Sequence, residues 1–254
     1  MRRFAGNDNK RAVDLTQTAI VTGAGKRVGA ALAERLIELG WTVLAHVRRE
    51  TDAVPDGANR VAAELGATDC AQRIFYAAHG LPPVRLLVNN AARFVADSLD
   101  DFSPEEFDAH MHANVRAPAL LIEEMARRHR GGDALVVNML DSKLVAPNAD
   151  FLSYTLSKQA LFGLTQSAAQ ALAAAGIRVN AISPALVLRS PGQSEENYRA
   201  MHARNPLGRG VSTDDILAAL DYLLAARTVT GEVLTIDGGQ RFEPPGRDVQ
   251  FLEP

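Results

Sequence analysis

The residues from Thr22 to Gly29 read Thr-Gly-Ala-Gly-Lys-Arg-Val-Gly and join two different sequence patterns. Before them, residues 18–22 are apolar or β-branched, and after them Leu32 and Leu36 recur at helical spacing as far as Gly40. Glycines let a backbone turn tightly beside a pyrophosphate, and the free N–H groups of a helix N-terminus attract phosphate. This order of strand, turn and helix predicts a dinucleotide-binding site. The cofactor-binding residues predicted in the turn are Gly23, Lys26, Arg27, Val28 and Gly29.

Alternating strand and helix patterns continue from this turn to about residue 236. The further strand candidates are residues 42–47, 85–89, 134–138, 177–182 and 232–236, with a weaker one at 59–63. They are largely apolar or β-branched, which is typical of parallel strands covered on both faces. The alternation predicts an α/β fold: a single Rossmann-type, doubly wound parallel sheet of about seven strands with helices on both faces.

Two segments depart from this alternation. Residues 188–210 contain prolines, glycines and many charges just after a strand end, where ligands bind in open α/β sheets. They are interpreted as a substrate lid, with an ordinary surface excursion as the alternative. Residues 1–15 are mostly polar or charged and predict a flexible N-terminal tail, so residues 16–254 are expected to form a single dinucleotide-binding domain.

The composition argues against several classes of protein. The 254 residues carry a net charge of −3, so no overall positive field favours nucleic acid or an anionic membrane as a partner. No stretch approaches the roughly 20 apolar residues that are needed to cross a bilayer. The single cysteine, Cys70, has no second cysteine in the chain with which to form a disulfide, as is typical of a reducing compartment. We therefore expect a cytoplasmic protein.

The end of the second strand indicates which nicotinamide cofactor is used. Many NAD-binding folds place an acidic residue here to hold the ribose 2′-hydroxyl. This chain has His46-Val47-Arg48-Arg49 instead. Two guanidinium groups can pair with a 2′-phosphate, each charge-assisted bond contributing about 1.5–3 kcal/mol. His46, Arg48 and Arg49 thus predict NADP(H), and the alternative is that the arginines form a solvated loop tip.

The pattern Tyr154-x-x-x-Lys158 places two reactive side chains on one face of a helix, one turn apart. A phenol titrates at about pH 10 and is a weak acid at neutral pH. An ammonium about 4 Å away contributes about 4 kcal/mol at an effective dielectric of about 20, so we expect Lys158 to lower the pKa of Tyr154. Such a tyrosine can exchange a proton while nicotinamide exchanges a hydride.

Several motifs follow one another along the chain: Thr22–Gly29, Asn89-Asn90-Ala91-Ala92, Asn114, Tyr154-x-x-x-Lys158 and Arg178-Val179-Asn180-x-x-x-Pro184. In this order and spacing they resemble the short-chain dehydrogenase/reductase family. The resemblance implies that Asn114 holds a water of a proton relay and that Lys158 binds the nicotinamide ribose. The further cofactor contacts that it implies are those of Asn89, Ala91 and Pro184, and of Glu64 at the adenine.

Two residues depart from the usual pattern of that family. Most members have serine thirteen residues before the tyrosine, to bind a carbonyl oxygen, whereas this chain has Asp141. A carboxylate instead suits a substrate that presents N–H donors or needs a proton at nitrogen. Arg27 stands where the middle glycine of the turn is expected. Both changes resemble the branch of pteridine reductases and dihydromonapterin reductases.

That branch implies a substrate and the residues that act on it. The substrate would be a pterin-like heterocycle whose C=N bond is reduced with NADPH. The catalytic residues would be Asp141, Tyr154, Lys158 and Asn114. The substrate-binding residues would be Arg27, Phe94, Asp141 and Tyr154. Phe94 would stack on the substrate ring, and its alternative role is packing under the lid.

Other readings of the same residues are open. If Asp141 is a tolerated variant, the chain is a reductase of carbonyl compounds or 3-oxoacyl groups. A non-catalytic NADP-binding scaffold would usually lack the tyrosine or the lysine.

No metal site is expected, because His110 and His112 are two residues apart on a helix. Helices around 104–130 and 151–175 resemble a family interface and imply a homodimer or homotetramer, and residues 241–254 could reach a neighbouring subunit's site.

Overall fold

The computed structural model describes residues 17–190 and 192–253. The tail predicted for residues 1–15 lies outside the described residues. Within them, no helix is long and apolar enough to cross a membrane.

Seven parallel strands form one sheet in the described part of the chain. They are β1 (Thr18–Thr22), β2 (Thr42–Val47), β3 (Asn59–Ala62), β4 (Val84–Asn89), β5 (Ala134–Met139), β6 (Ile177–Pro184) and β7 (Val233–Ile236). Their order is β3-β2-β1-β4-β5-β6-β7. The order reverses between β1 and β4, so a crevice opens at the carboxyl ends of these strands, where such sheets bind ligands. The predicted Rossmann-type sheet is confirmed.

The helices lie on both faces of the sheet. They are α1 (Arg27–Glu38), α2 (Cys70–Ala77), α3 (Pro104–Met111), α4 (Ala117–Arg128), α5 (Leu152–Leu172), α6 (Glu195–His202) and α7 (Thr213–Ala225). A π-helical turn, His112–Arg116, joins α3 to α4. The helix predicted around residues 104–130 is therefore divided into α3 and α4 by this turn. π-Helical turns of this kind are frequent at functional sites.

Alternate side chains of the central strands pack on opposite faces of the sheet. Val21 belongs to one core cluster, with Leu36 of α1 and Leu220 of α7. Its neighbour Ile20 belongs to the other, with Leu121 of α4. Each fully buried aliphatic side chain contributes about 1.5–3 kcal/mol to folding. This two-sided burial explains why the strands are largely apolar rather than alternating.

The start of α3 is held by a side-chain cap and by an ion pair to a neighbouring loop. Ser103 caps the helix by accepting a hydrogen bond from the Glu106 N–H at 3.2 Å, and Pro104 occupies the first turn. The Glu106 carboxylate does not complete a capping box. It instead forms a bidentate pair with Arg93, at 2.6 and 2.9 Å. This pair ties α3 to the loop that follows β4.

Candidate active site

A cleft of about 1130 Å³ runs along the carboxyl ends of the strands, from the glycine turn to the start of α5. It brings together most of the residues singled out in the sequence. Those that line it are Gly23, Lys26, Arg27, Val28, Gly29, His46, Arg48, Arg49, Glu64, Ala91, Phe94, Asp141, Tyr154, Lys158 and Pro184. Their placement follows from parallel strands, whose carboxyl ends share one edge of the sheet.

Backbone conformation and close packing both favour glycine in this turn. Gly23 adopts φ +66°, a left-handed conformation that favours glycine. A Cβ at Gly29 would lie 2.1 Å from the Gly23 carbonyl oxygen and 2.5 Å from Asn90 Nδ2. The Asn90 amide itself donates to the Thr22 carbonyl at 2.9 Å. The turn is thus held against β4, with the N-terminus of α1 at the cleft.

The buried His46 side chain fixes the position of the glycine turn. The side chain is buried; its Nδ1 accepts the Gly23 N–H at 3.2 Å and its Nε2 lies 2.9 Å from the Ala63 carbonyl oxygen. Because one nitrogen must accept and the other must donate, the ring is the neutral tautomer with hydrogen on Nε2. Burial lowers the pKa of His46, which favours the same neutral form.

Exposed basic side chains surround the turn. Lys26, Arg48 and Arg49 are exposed at the cleft. Arg48 lies 3.5 Å from Glu64, and both of these side chains are more than half exposed. Such a surface pair contributes little by itself, so the arginine is available to an anionic ligand.

Arg27 contacts the segment predicted to be a lid. Its guanidinium donates to the carbonyl oxygens of Arg189 at 2.8 Å and of Leu188 at 3.2 Å. Its backbone is left-handed, with φ 56°, an uncommon conformation for a side chain with a Cβ. In this structure Arg27 therefore bridges the glycine turn and the segment after β6.

Tyr154 and Asp141 form the reactive pair of the cleft. The Tyr154 hydroxyl donates to Asp141 Oδ2 at 2.9 Å, while the Lys143 N–H donates to Asp141 Oδ1 at 2.9 Å. Lys158 lies beside them, and its Nζ donates to the Met139 carbonyl at 2.6 Å. The same Nζ is 5.5 Å from the centre of the Tyr154 ring. Asp141 thus lies in direct contact with the tyrosine, as its position thirteen residues upstream suggested.

The protonation of these three groups differs from the expectation drawn from the sequence. Burial, together with the Asp141 carboxylate, raises the pKa of Tyr154 well above its ordinary value. The expectation that Lys158 lowers it is wrong for this structure, because the ammonium donates to the Met139 carbonyl and not to the phenol oxygen. Burial also raises the pKa of Asp141 and lowers the pKa of Lys158 to about 8. All three shifts disfavour charge in a tightly packed site.

Two of the predicted residues do not line the cleft. Asn89 is buried, and its amide donates to Asn138 Oδ1 at 2.8 Å. Asn114 is buried in the π-helical turn, where its amide donates to Ser157 Oγ at 2.9 Å and to the Arg93 carbonyl at 3.0 Å. Its Oδ1 accepts the Arg93 N–H at 2.7 Å. The side chain of Asn114 therefore joins the loop after β4 to α5.

Phe94 is held among aromatic rings. It is stacked on Phe151 with centroids 4.3 Å apart, and it meets Tyr154 edge to face at 4.7 Å. Phe151 in turn stacks near Phe251 of the C-terminal segment, at 5.8 Å. Phe94 thus packs against neighbours and lines the cleft at the same time, and its role towards a substrate stays a prediction.

Asp97 was missed in the sequence. Its carboxylate accepts the Ser153 N–H at 3.0 Å and also the Ser153 hydroxyl, so it caps α5 just before Tyr154. The residue at the usual cap position, Phe151, is left-handed with φ 56° and offers no cap oxygen. Because the two partners are 56 residues apart, no local pattern in the sequence could indicate this contact.

The C-terminal segment, residues 239–253, packs beside Asp141 of the same chain. Asp248 forms a buried ion pair with Lys143 at 2.8 Å. Arg247 pairs with Asp150 at 2.7 Å, and the Asn197 amide donates to the Leu252 carbonyl at 2.6 Å. The sequence had suggested only that this segment could reach a neighbouring subunit. Asp141, in place of the serine that most members of the family have, was the one local indication that this side of the site differs from theirs.

No cluster of three potential metal-ligating residues occurs among residues 17–190 and 192–253. Of the acidic side chains that line the cleft, Glu64 pairs with Arg48 and Asp141 accepts the Tyr154 hydroxyl. The geometry can therefore bind a phosphorylated ligand at one end and transfer a proton at the other.

Comparisons with known proteins agree with this arrangement. Residues 23–241 match the family model described as enoyl-(acyl carrier protein) reductase. L-xylulose reductase of Bos taurus is 30% identical over 87% of this chain and 95% of that protein. Pteridine reductase 1 of Leishmania tarentolae is 32% identical over the same shares of the two chains.

A solved structure resembles the whole fold. The FolM alternative dihydrofolate reductase 1 of Brucella suis, in complex with NADP, aligns with a TM-score of 0.83 and 32% identity. The alignment covers 91% of this chain and 96% of that one. The extent of these matches shows that this chain belongs to the short-chain dehydrogenase/reductase family of oxidoreductases.

Proposed function

We propose that the chain is an NADPH-dependent reductase that acts on a C=N bond of a pterin, of the dihydropteridine or dihydromonapterin type. The observation that carries this proposal is the 2.9 Å hydrogen bond from the Tyr154 hydroxyl to Asp141. The ionised carboxylate can accept an N–H of a pterin ring, which a simple carbonyl compound lacks, and its protonated form can supply a proton to a ring nitrogen. Relatives whose names refer to pterin and dihydrofolate reduction support this choice.

The cleft fits NADP(H) at its other end. The N-terminus of α1 and the close-packed Gly23 and Gly29 leave backbone N–H groups for a pyrophosphate. Arg48 and Arg49 are exposed where a ribose 2′-phosphate would lie. The cofactor supplies a hydride to the substrate carbon when it is bound. Lys158 is the residue that would hold the nicotinamide ribose.

The proton is the part of the reaction that this chain supplies. Reduction of C=N adds a hydride to carbon and a proton to nitrogen. Because burial raises the pKa of Asp141, its carboxyl holds a proton closer to neutral pH than an ordinary aspartate does. Tyr154 stays a neutral phenol and orients that carboxyl through their hydrogen bond. The two groups act as one proton-donating pair rather than as separate acids.

A second function is favoured by a specific observation. Two relatives at 30% identity are named L-xylulose reductase and carbonyl reductase [NADPH] 2. On that reading Tyr154 protonates a carbonyl oxygen and Asp141 is tolerated beside it. A non-catalytic scaffold is less well supported, because Tyr154 and Lys158 are both present and lie next to each other in the cleft.

The test is the variant Asp141→Ser, which restores the serine usual in the family. We expect turnover of a dihydropterin with NADPH to fall about 10²-fold or more, the size of effect typical of a lost proton donor. Turnover of simple carbonyl compounds should be kept or should rise. The matched control is Asp56→Ser, at an exposed loop residue outside the cleft. Undiminished dihydropterin turnover in Asp141→Ser would contradict the proposed chemistry, and a wild-type chain that reduces only carbonyl compounds would favour the second function.

A further inference from the structure

We propose that the C-terminal segment completes the substrate site within the same chain and forms a polar subsite for an uncharged, hydroxyl-bearing substituent of the substrate. The proposal rests on the proposed function, since it takes the reacting ring to lie at Tyr154 and Asp141. It adds a binding site beyond that ring, built by residues 239–253 and by the loop that carries Asp141.

A small cavity lies directly beside Asp141 and opens from the main cleft. Its volume is about 90 Å³, enough for several non-hydrogen atoms of a substituent. The main cleft and the cavity have five lining residues in common: Phe94, Asp141, Ala185, Leu186 and Ser190. A substituent on a ring that is held at Asp141 can therefore enter the cavity without leaving the cleft.

The C-terminal segment forms the far wall of this cavity, through Gln240, Asp248 and Gln250. The wall is anchored close to the reactive pair. Asp248 is buried and pairs with Lys143, which is two residues from Asp141. The Asp248 N–H also donates to Asp150 Oδ2 at 2.8 Å. An anchored wall of this kind can fix the position of hydrogen-bonding groups for a ligand.

The two carboxylates that line the cavity already accept hydrogen bonds from the protein. Asp141 accepts one hydrogen bond on each oxygen, from Tyr154 and from the Lys143 N–H. Asp248 accepts the Lys143 ammonium at 2.8 Å on Oδ2 and the Gln250 N–H at 3.0 Å on Oδ1. The Lys143 ammonium neutralises the Asp248 carboxylate at 2.8 Å, and burial raises the pKa of Asp141, so the cavity presents little net charge to a ligand. A charged substituent would lose its hydration there without gaining an opposite charge, so the cavity disfavours it.

The groups left to bind a ligand are neutral. Among the described residues, the side chains of Ser142, Ser190, Gln240 and Gln250 line the cavity without a hydrogen bond to another protein group. Two amides and two hydroxyls offer both donors and acceptors. Hydroxyl groups, which also donate and accept, are the neutral substituents that match them best.

The experiment compares two dihydropterins that have the same ring, one with a short hydroxylated side chain and one with a methyl group. The measured quantity is the ratio of their kcat/KM values with NADPH, in the wild type and in Gln240→Met and Gln250→Met, made separately. Methionine keeps the length of glutamine and removes the amide. We expect each change to lower the preference for the hydroxylated substrate about threefold to tenfold, as for one lost hydrogen bond. Gln72→Met, the same change at an exposed position on α2, should leave the ratio unchanged.

A second substrate pair separates this proposal from the proposed function. If neither dihydropterin is reduced, the proposed function fails, and the same ratio is then measured with a hydroxylated and a plain alkyl ketone. A loss of preference in the glutamine variants supports the subsite in either pair. Ratios equal to those of the wild type in both variants overturn it, as does a wild-type preference for an aminoalkyl over a hydroxyalkyl side chain.

Discussion

The two ends of the cleft are built in different ways. The cofactor end consists of backbone groups and short loops that directly follow β1, β2 and β4, and its side chains Arg48 and Arg49 are exposed. The proton-transfer end is buried and depends on contacts between distant segments. The Asp248 N–H and the Asp150 carboxylate, for example, are 98 residues apart. The backbone geometry at one end can thus serve the cofactor, while the opposite end can be altered by a few side chains and a terminal segment.

The largest effect on the difference between the two ends is expected when the Tyr154 hydroxyl is removed. In Tyr154→Phe we expect turnover to fall about 10²–10⁴-fold, because the proton-donating pair is lost. Binding of NADPH should persist, since the variant changes only one end of the cleft. Steady-state rates and a fluorescence titration with NADPH measure the two quantities separately. Near-normal turnover in this variant would remove Tyr154 from the mechanism.

A variant at the opposite end should have the reverse pattern. In the double variant Arg48→Ala with Arg49→Ala we expect the KM for NADPH to rise at least about tenfold, because charge-assisted contacts to a 2′-phosphate are lost. The KM for NADH and kcat should change little. Arg73→Ala is the control, since Arg73 is an exposed residue of α2 paired with Asp69. Equal losses with the two cofactors would show that these arginines do not read the 2′-phosphate.

The smallest expected effect concerns the pH dependence of folding stability at the cofactor end. His46 has a pKa below its ordinary value of 6.5 in the folded chain, so the unfolded chain binds more protons below that pH. Stability is therefore complete above about pH 6.5 and falls as the pH is lowered, by up to about 1.4 kcal/mol per pH unit.

The matched variant is His46→Gln, whose amide can accept the Gly23 N–H and donate to the Ala63 carbonyl without titrating. Urea unfolding at pH 7.5 and 5.5 should show a larger loss of stability in the wild type than in His46→Gln. Identical losses would mean that the protonation of His46 is not coupled to folding.

The difference between the two ends of the cleft also explains which features could be predicted from the sequence. The strands and the glycine turn were predicted closely, because their signals lie within a few neighbouring residues. Asp141 was placed beside Tyr154 by the family resemblance, in which a serine usually stands thirteen residues before the tyrosine. The cap on α5 by Asp97 and the pairing of Lys143 with Asp248 were not predicted, because each joins segments that only the folded chain brings together.

The pKa of Tyr154 was misjudged for a related physical reason. The four-residue spacing to Lys158 is visible in the sequence, whereas burial and the direction of the ammonium are not. In the folded chain that ammonium donates to the Met139 carbonyl, and burial determines the direction of the shift. Asn114 was likewise recognised as important, but its three hydrogen bonds to Arg93 and Ser157 could not be deduced.

The buried asparagines beneath the cleft have a consequence for how the sheet assembles. Asn89 and Asn138 are directly paired across β4 and β5, and Asn138 also donates to Thr165 Oγ1 at 2.9 Å. A slip of one residue would turn one of the two amides to the opposite face of the sheet and separate the pair, at a cost of about 1–3 kcal/mol for each polar group left without a partner. During folding, the pair therefore favours the native alignment of two strands whose other buried residues are apolar.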